Sequence, residues 1–324
     1  SNCGRGVTIE NNHVINWDGS WFNARGTVND SSAIPANIVV IGNTAYDFGE
    51  VILDIFSVNG LTVTGNTWWG KHFTTGSSGI QCVNLEGRSG QRVVFQNVAV
   101  TGNVCKNFTD AGAVPAGSTT AGFAIGNGAL SLPGNIQSIV FAGNTVVGGR
   151  FGIYAGLSEN GAANNGLNER VGLVIAGNTL HASQRFGVFV HGGKGNAITG
   201  NTITNCSTDS TAYEPIALDD QFNASVVGNT IDCPNASTAS GAIGEVISFH
   251  FPSGNGNKGN MIGPNMIVEP AARCGLFATS GSFCLYPHVN GLVQMAYNES
   301  ATQVHQTGRL KPTAAPNLAR LRTQ

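Results

Sequence analysis

Apolar residues alternate with polar ones just before a Gly-Asn pair, as in "LTVTGNTWWG" (61–70), "LVIAGNTLHA" (173–182), "NAITGNTITN" (196–205) and "SVVGNTIDCP" (225–234). A period of two puts every second side chain on one face of a strand. Three and five residues before the Asn stand Val40 and Ile38, Val63 and Leu61, Val100 and Val98, Phe141 and Ile139, and Ile175 and Leu173. Two residues after it come Ala45, Trp68, Cys105, Val146, Leu180, Ile203 and Ile231. The pattern predicts a strand, a sharp bend, and a short second strand that carries the same inner face onward. Gly and Asn suit the bend because both tolerate positive φ. Thr44, Thr67, Thr145, Thr179, Thr202 and Thr230 follow the Asn directly and suit a pleated surface. Asn amides stacked in this way are expected to pair along the stacking axis.

The copies align on Asn12, Asn43, Asn66, Asn103, Asn144, Asn178, Asn201, Asn229 and Asn260, with successive spacings of 31, 23, 37, 41, 34, 23, 28 and 31. A shortest unit of 23 lengthened by insertions is the signature of a solenoid with projecting loops. A further strand is predicted downstream of most bends, at "GIQCVNL", "GFAIGNG", "FGIYAGL", "FGVFVHGG", "PIALDDQ" and "VISFHFP". No segment of useful length repeats apolar residues at helical spacing. The repeats fill residues 1–270 as nine or ten rungs. Residues 271–324 hold the last strand-like runs and a basic, proline-bearing tail, which suits a cap over the exposed strand edges or an oligomer contact.

Composition narrows the partners. Charged residues make up 10% of the 324 residues, with 45 Gly and a formal charge of −2, against roughly 25% charged in an ordinary domain. That balance provides no basic footprint for nucleic acid and no polybasic membrane patch. No apolar run is long enough to span a bilayer. "SNCGRGVTIE" lacks both a signal-peptide pattern and a starting Met, so the chain is expected to begin inside a longer protein. The seven cysteines include no CxxC pair and suit free buried thiols, with a Cys274–Cys284 bridge left open.

The GNT-type rungs, the low charge and the Asn, Gly and Thr richness resemble the pectate-lyase-like superfamily of right-handed parallel β-helices. Within it they are most similar to bacteriophage tailspike or capsule-depolymerase domains. The resemblance implies an all-β, single-stranded right-handed parallel β-helix, extracellular on a phage tail or secreted by a bacterium. It also implies homotrimers and a bacterial capsular or O-antigen polysaccharide as partner; from the residues themselves no cofactor is expected, with calcium possible. The superfamily's polygalacturonase branch carries Asn-Thr-Asp, Asp-Asp, Gly-His-Gly and Arg-Ile-Lys in that order. Here "LDDQ" follows "VHGG" and Arg-Ile-Lys is missing, which sets the chain apart from that branch.

If Ile153 and Ala155, Val188 and Val190, Ile216 and Leu218, and Ile247 and Phe249 point inward, their neighbours form an exposed face. That face holds Tyr154, then Phe189 and His191, Ala217 and Asp219, and Ser248 and His250, with His191, Asp219 and His250 on adjacent rungs. Glycoside hydrolysis needs one carboxyl to protonate the leaving oxygen and another as base or nucleophile. Asp219 with Glu214, Asp220 or Glu245 can supply the pair, and His191 or His250 can orient it. Tyr154 and Phe189 offer sugar platforms, and Trp69 a second one. Arg150 and Arg185, each before Phe-Gly, would stack at the edge of the face. There they either bind an acidic sugar, serve a lyase as base, or merely cap strand ends. The polar face can equally be solvated surface. Asp54 and Glu50 fall on the same sheet only under one of two registers. No nucleophile elbow or His/Cys metal spacing is present, and Asp219 with Asp220 leaves calcium open.

Overall fold

The computed structural model describes residues 5–17, 19–24, 34–48, 51–70, 81–86, 94–106, 120–125, 135–155, 170–208, 213–233, 247–250, 260–263, 265–268, 276–278, 282–284, 288–290 and 295–297. Among these residues there is no helix, and the strands all pair in parallel. Each strand pairs with the one three places further along the chain, so consecutive strands belong in rotation to three ladders of ten. A pre-turn ladder runs from Arg5–Glu10 to Ser282–Cys284, a post-turn ladder from His13–Ile15 to His288–Asn290, and a downstream ladder from Phe22–Ala24 to Met295–Tyr297. A pairing of Val171 with Lys194 joins the first and third into one 20-stranded sheet beside the 10-stranded post-turn sheet. At about 4.8 Å per strand, ten strands span about 43 Å.

The alternating residues do form the core. Ile38, Leu61, Val98, Ile139 and Leu173 are register partners in the pre-turn ladder. They join Trp68, Cys105, Val146, Leu180 and Ile203 of the post-turn ladder in one buried cluster. Leu53, Val83, Phe123, Ile153, Val188 and Ile216 complete it from the downstream ladder. Burying one such side chain is worth about 1.5–3 kcal/mol, and the cluster repeats this at every ladder step. Tight stacking also needs glycine. A Cβ at Gly152 would lie 2.6 Å from the Gly187 carbonyl oxygen and 3.3 Å from the Leu180 methyls.

At the bend, the two residues have separate tasks. Gly42, Gly65, Gly102, Gly143, Gly177, Gly200 and Gly228 carry the positive φ, whereas none of the stacked Asn residues does. The Asn is there for its amide. Nδ2–H of each Asn donates to Oδ1 of the next, from Asn12 through Asn43, Asn66, Asn103, Asn144, Asn178, Asn201 and Asn229, at 2.9–3.0 Å. Each Oδ1 also accepts the backbone N–H of the preceding Asn. That shared acceptor settles the orientation of every amide. Among the described residues the last amide of the ladder is Asn265, not Asn260 as the alignment expected. Asn260 sits at a second corner with Asn196, where its Oδ1 takes the Ala224 N–H.

Cys82, Cys105, Cys206 and Cys233 are free and buried. Cys206 and Cys233 copy the Asn arrangement in sulfur. The Cys206 N–H donates to Cys233 Sγ at 3.2 Å, and the two thiols donate to the Thr204 and Ile203 carbonyls at 3.6 and 3.7 Å. Cys3 and Cys274 lie outside the described residues, and so does the suggested Cys274–Cys284 bridge.

Candidate functional site

The register of the downstream ladder builds two outward columns. One runs Asn23, Asp54, Asn84, Ala124, Tyr154, Phe189, Ala217, Ser248. The other, two residues further along each strand, runs His191, Asp219, His250. The described side chains of both columns, up to Ala217 in the first and Asp219 in the second, belong to the sheet face opposite the core, as the alternation requires. His191 and Asp219 touch. His191 Nδ1 stands 3.3 Å from Asp219 Oδ2, the geometry of a ring N–H donating to a carboxylate.

The face is less open than the sequence suggests. Tyr154 is 3% exposed and Arg150 4%, while His191 and Asp219 are 7% and 9%. Phe151, Tyr154, Ala121 and Ala124 form a second buried cluster against which Phe186 and Phe189 pack. Tyr154 and Phe189 stack on each other with ring centres 5.5 Å apart and planes within 12°. Successive rings along the ladder therefore spend their flat faces on one another, which removes Tyr154 as a platform for sugar. Phe189 remains half-buried beside the His191–Asp219 pair.

The two arginines do stand side by side, each immediately before one of the neighbouring strands Phe151–Ala155 and Phe186–Lys194, and the Arg185 N–H donates to the Arg150 carbonyl at 3.0 Å. Their side chains then differ. Arg150 is buried, whereas Arg185 is half-buried and lies 4.6 Å over the Tyr213 ring. Trp69 is separated from the pair altogether. It belongs to the post-turn ladder, stacked 4.5 Å from Tyr46 with Lys106 5.9 Å over its ring, so its faces too are occupied.

Glu214 is half-buried just before the strand Ile216–Phe222 that carries Asp219. The extended residues 216–219 alone cover about 10 Å, whereas paired glycosidase carboxyls stand about 5–9.5 Å apart. Glu214 is thus poorly placed to pair with Asp219. The side chains of Asp220 and His250 lie outside the described ones, as does Glu245 entirely. Among the described residues no three His, Cys, Asp or Glu converge as metal ligands.

Asp54, whose face the sequence leaves open, is a buried carboxylate of the outer column. The register puts it in the Tyr154 column, buried between two amides: Asn23 Nδ2 donates to Oδ2 at 3.3 Å and Asn84 Nδ2 to Oδ1 at 3.0 Å. It lies five ladder steps from the Asp219 strand, about 24 Å, too far for the two carboxylates to share one centre. Counting back from Tyr154 in steps of paired strands would have found it. Asp54 alternates with apolar residues on both sides in "EVILDIF", which is why its face was ambiguous in isolation.

Compared with known proteins, the chain matches no family model, no curated protein and no solved structure.

Proposed function

We propose that the three ladders wind as one right-handed parallel β-helix, and that this helix is a tailspike-type depolymerase. It cleaves a bacterial capsular or O-antigen polysaccharide by glycoside hydrolysis, outside the cell. The coil is supported by the rotation of consecutive strands through three ladders around one buried cluster. Parallel crossovers are right-handed in about 98% of cases. The observation that carries the activity is the Asp219–His191 contact on the outer side of the downstream ladder, beside the small Ala217 and the half-buried Phe189.

In this reading Asp219 is the base or nucleophile, oriented by the Nδ1–H of His191. A second carboxyl, from Asp220 or Glu245, protonates the leaving glycosidic oxygen, and water supplies the hydroxyl at the anomeric carbon. His250, paired in register with Asp219, flanks the same centre. Arg185 with Tyr213 forms the rim toward which an acidic sugar would be drawn. Ile15, Trp17, Ile41, Met261 and Met266 are exposed apolar side chains that suit contacts within a homotrimer.

A non-enzymatic adhesive spike is the second reading. It is favoured by the burial of Tyr154, Phe151 and Arg150, which makes much of the face packing instead of binding surface. The test is incubation with a panel of capsular and O-antigen polysaccharides, following fragment size, new reducing ends and unsaturated-uronate absorbance together. Hydrolysis yields fragments and reducing ends without new absorbance. The absorbance would assign a lyase, with His191 as base, and binding without fragments across the panel would assign the adhesin. Asp219→Asn is expected to abolish cleavage while fold and glycan binding persist, with Thr230→Ala as the control for damage to the fold. Full activity in Asp219→Asn would remove that carboxylate from the mechanism.

A further inference from the structure

The second corner, between the downstream and pre-turn ladders, stacks Asn196 and Asn260 but has Ala224 between them. Alanine has no amide to continue that stack. Gln221, fully buried three residues earlier, reaches in to fill the gap. Its Oε1 accepts Asn196 Nδ2 at 2.8 Å, and Asn196 Oδ1 in turn takes the Leu173 N–H at 3.1 Å. Its Nε2 has two hydrogens, and both are directed at the strands of the proposed centre: the Asp219 carbonyl at 2.8 Å and the Val190 carbonyl at 3.3 Å. Val190 immediately precedes His191. One primary amide therefore ties together the peptide leaving Asp219 and the peptide entering His191. The Gln221 carbonyl is itself held by Asn260 Nδ2 at 3.0 Å.

The geometry points to Gln221 as the positioning residue of the Asp219–His191 pair. This rests on reading that pair as the working centre. An ordinary Asn at the corner would serve the stack from position 224 and leave the two carbonyls beside the pair without this clamp. The chain instead has a longer side chain on the strand that bears Asp219, two residues from it and on the register partner of Gly193. A buried amide that fixes two peptide planes fixes the Cα–Cβ directions that start there. A displacement on the order of 1 Å at a reacting group can cost about 100-fold in rate.

Two variants separate positioning from mere support of the corner. Gln221→Met keeps length and burial but loses both donors. The double variant Gln221→Ala/Ala224→Asn returns an amide to the corner without the clamp. The expected result is that the double variant regains thermal stability lost in Gln221→Met, while both variants lose about tenfold or more in kcat with KM within about twofold. The His191 imidazole signals in a proton–nitrogen NMR spectrum, assigned by their loss in His191→Gln, are expected to move in both. If the double variant regains stability, kcat and native imidazole signals together, Gln221 only supports the corner and the inference fails. If the native chain cleaves nothing, the hydrolase reading fails on its own. The imidazole signals still decide the clamp, since unmoved signals in both variants overturn it and moved signals uphold it.

Discussion

Asn103 shows how much of this molecule depends on one amide. Its Oδ1 accepts both the backbone N–H and the Nδ2–H of Asn66, and its own Nδ2 donates to Asn144 Oδ1 and the Val63 carbonyl. Removing the side chain leaves the buried Asn66 backbone N–H without its acceptor, takes an acceptor from Asn66 Nδ2, and takes a donor from the Val63 carbonyl and from Asn144 Oδ1, which keeps only the Asn103 backbone N–H. A buried polar group left unsatisfied costs about 1–3 kcal/mol. Asn103→Ala is therefore expected to lower the unfolding free energy by about 3 kcal/mol or more, read as a fall in the urea midpoint. Thr145→Ala, at a half-exposed position two ladder steps from Thr67, should stay within about 0.5 kcal/mol. Equal losses in the two would mean that the amide ladder carries no special share of the stability. Asp54 follows similar logic on the outer face, where amides from both neighbouring strands hold one carboxylate.

At the scale of the strand, close stacking sets the limits. Gly152 lies in Phe151–Ala155 between Gly122 and Gly187 of the flanking strands, and a Cβ there meets the backbone oxygen of Gly187 at 2.6 Å. Backbone cannot move aside as a side-chain end can, so Gly152→Ala is expected to cost about 2–3 kcal/mol. The check is its melting temperature against Ala155→Gly, which only removes a methyl from the same strand. A smaller loss in Gly152→Ala would show that the ladder yields locally. The strands themselves were legible because a period of two and a repeated Gly-Asn leave little choice of face: Ile38, Leu61 and Trp68 are inside as read. The outward order Tyr154, Phe189, Ala217 was legible for the same reason. Their burial was not, because alternation states which face a side chain takes and says nothing of what packs over that face. The second corner was also missed. Gln221 does there what Asn does elsewhere, so a search for Gly-Asn passes over it, and Asn260 was taken for the copy that Asn265 fills.

Across the three ladders, the fold disfavours the negative charge of three buried thiols. Burial pushes the Cys82 and Cys105 thiols up, and the side-chain hydrogen bond shared with Cys206, which favours the protonated Cys233, pushes Cys233 up together with burial. The same bond pulls Cys206 down. In the unfolded chain all four thiols ionise near pH 8.5. Below that pH the three raised thiols are protonated in both states and exert no pull. Above it the unfolded chain gives up protons that the native protein keeps, so stability falls with rising pH by about 1.4 kcal/mol per pH unit for each such thiol. Cys206, pulled the other way, contributes with the opposite sign: its share of stability grows as pH rises toward the unfolded pKa of about 8.5 and is constant above it, so it does not offset the fall. Denaturant midpoints measured under reducing conditions should therefore not fall between pH 7 and 8 and should drop steeply between pH 9 and 10. Cys82→Ala/Cys105→Val should lower stability at neutral pH yet flatten much of that drop, because it removes two of the three raised thiols. The native Cys82, Cys105 and Cys233 thiols should also react slowly with a disulfide reagent at pH 8 and quickly after unfolding, since the reacting species is the thiolate. A midpoint that stays level to pH 10 would mean that the interior accommodates thiolates, and that the sulfur pairs are not shut away as the packing of the three ladders requires.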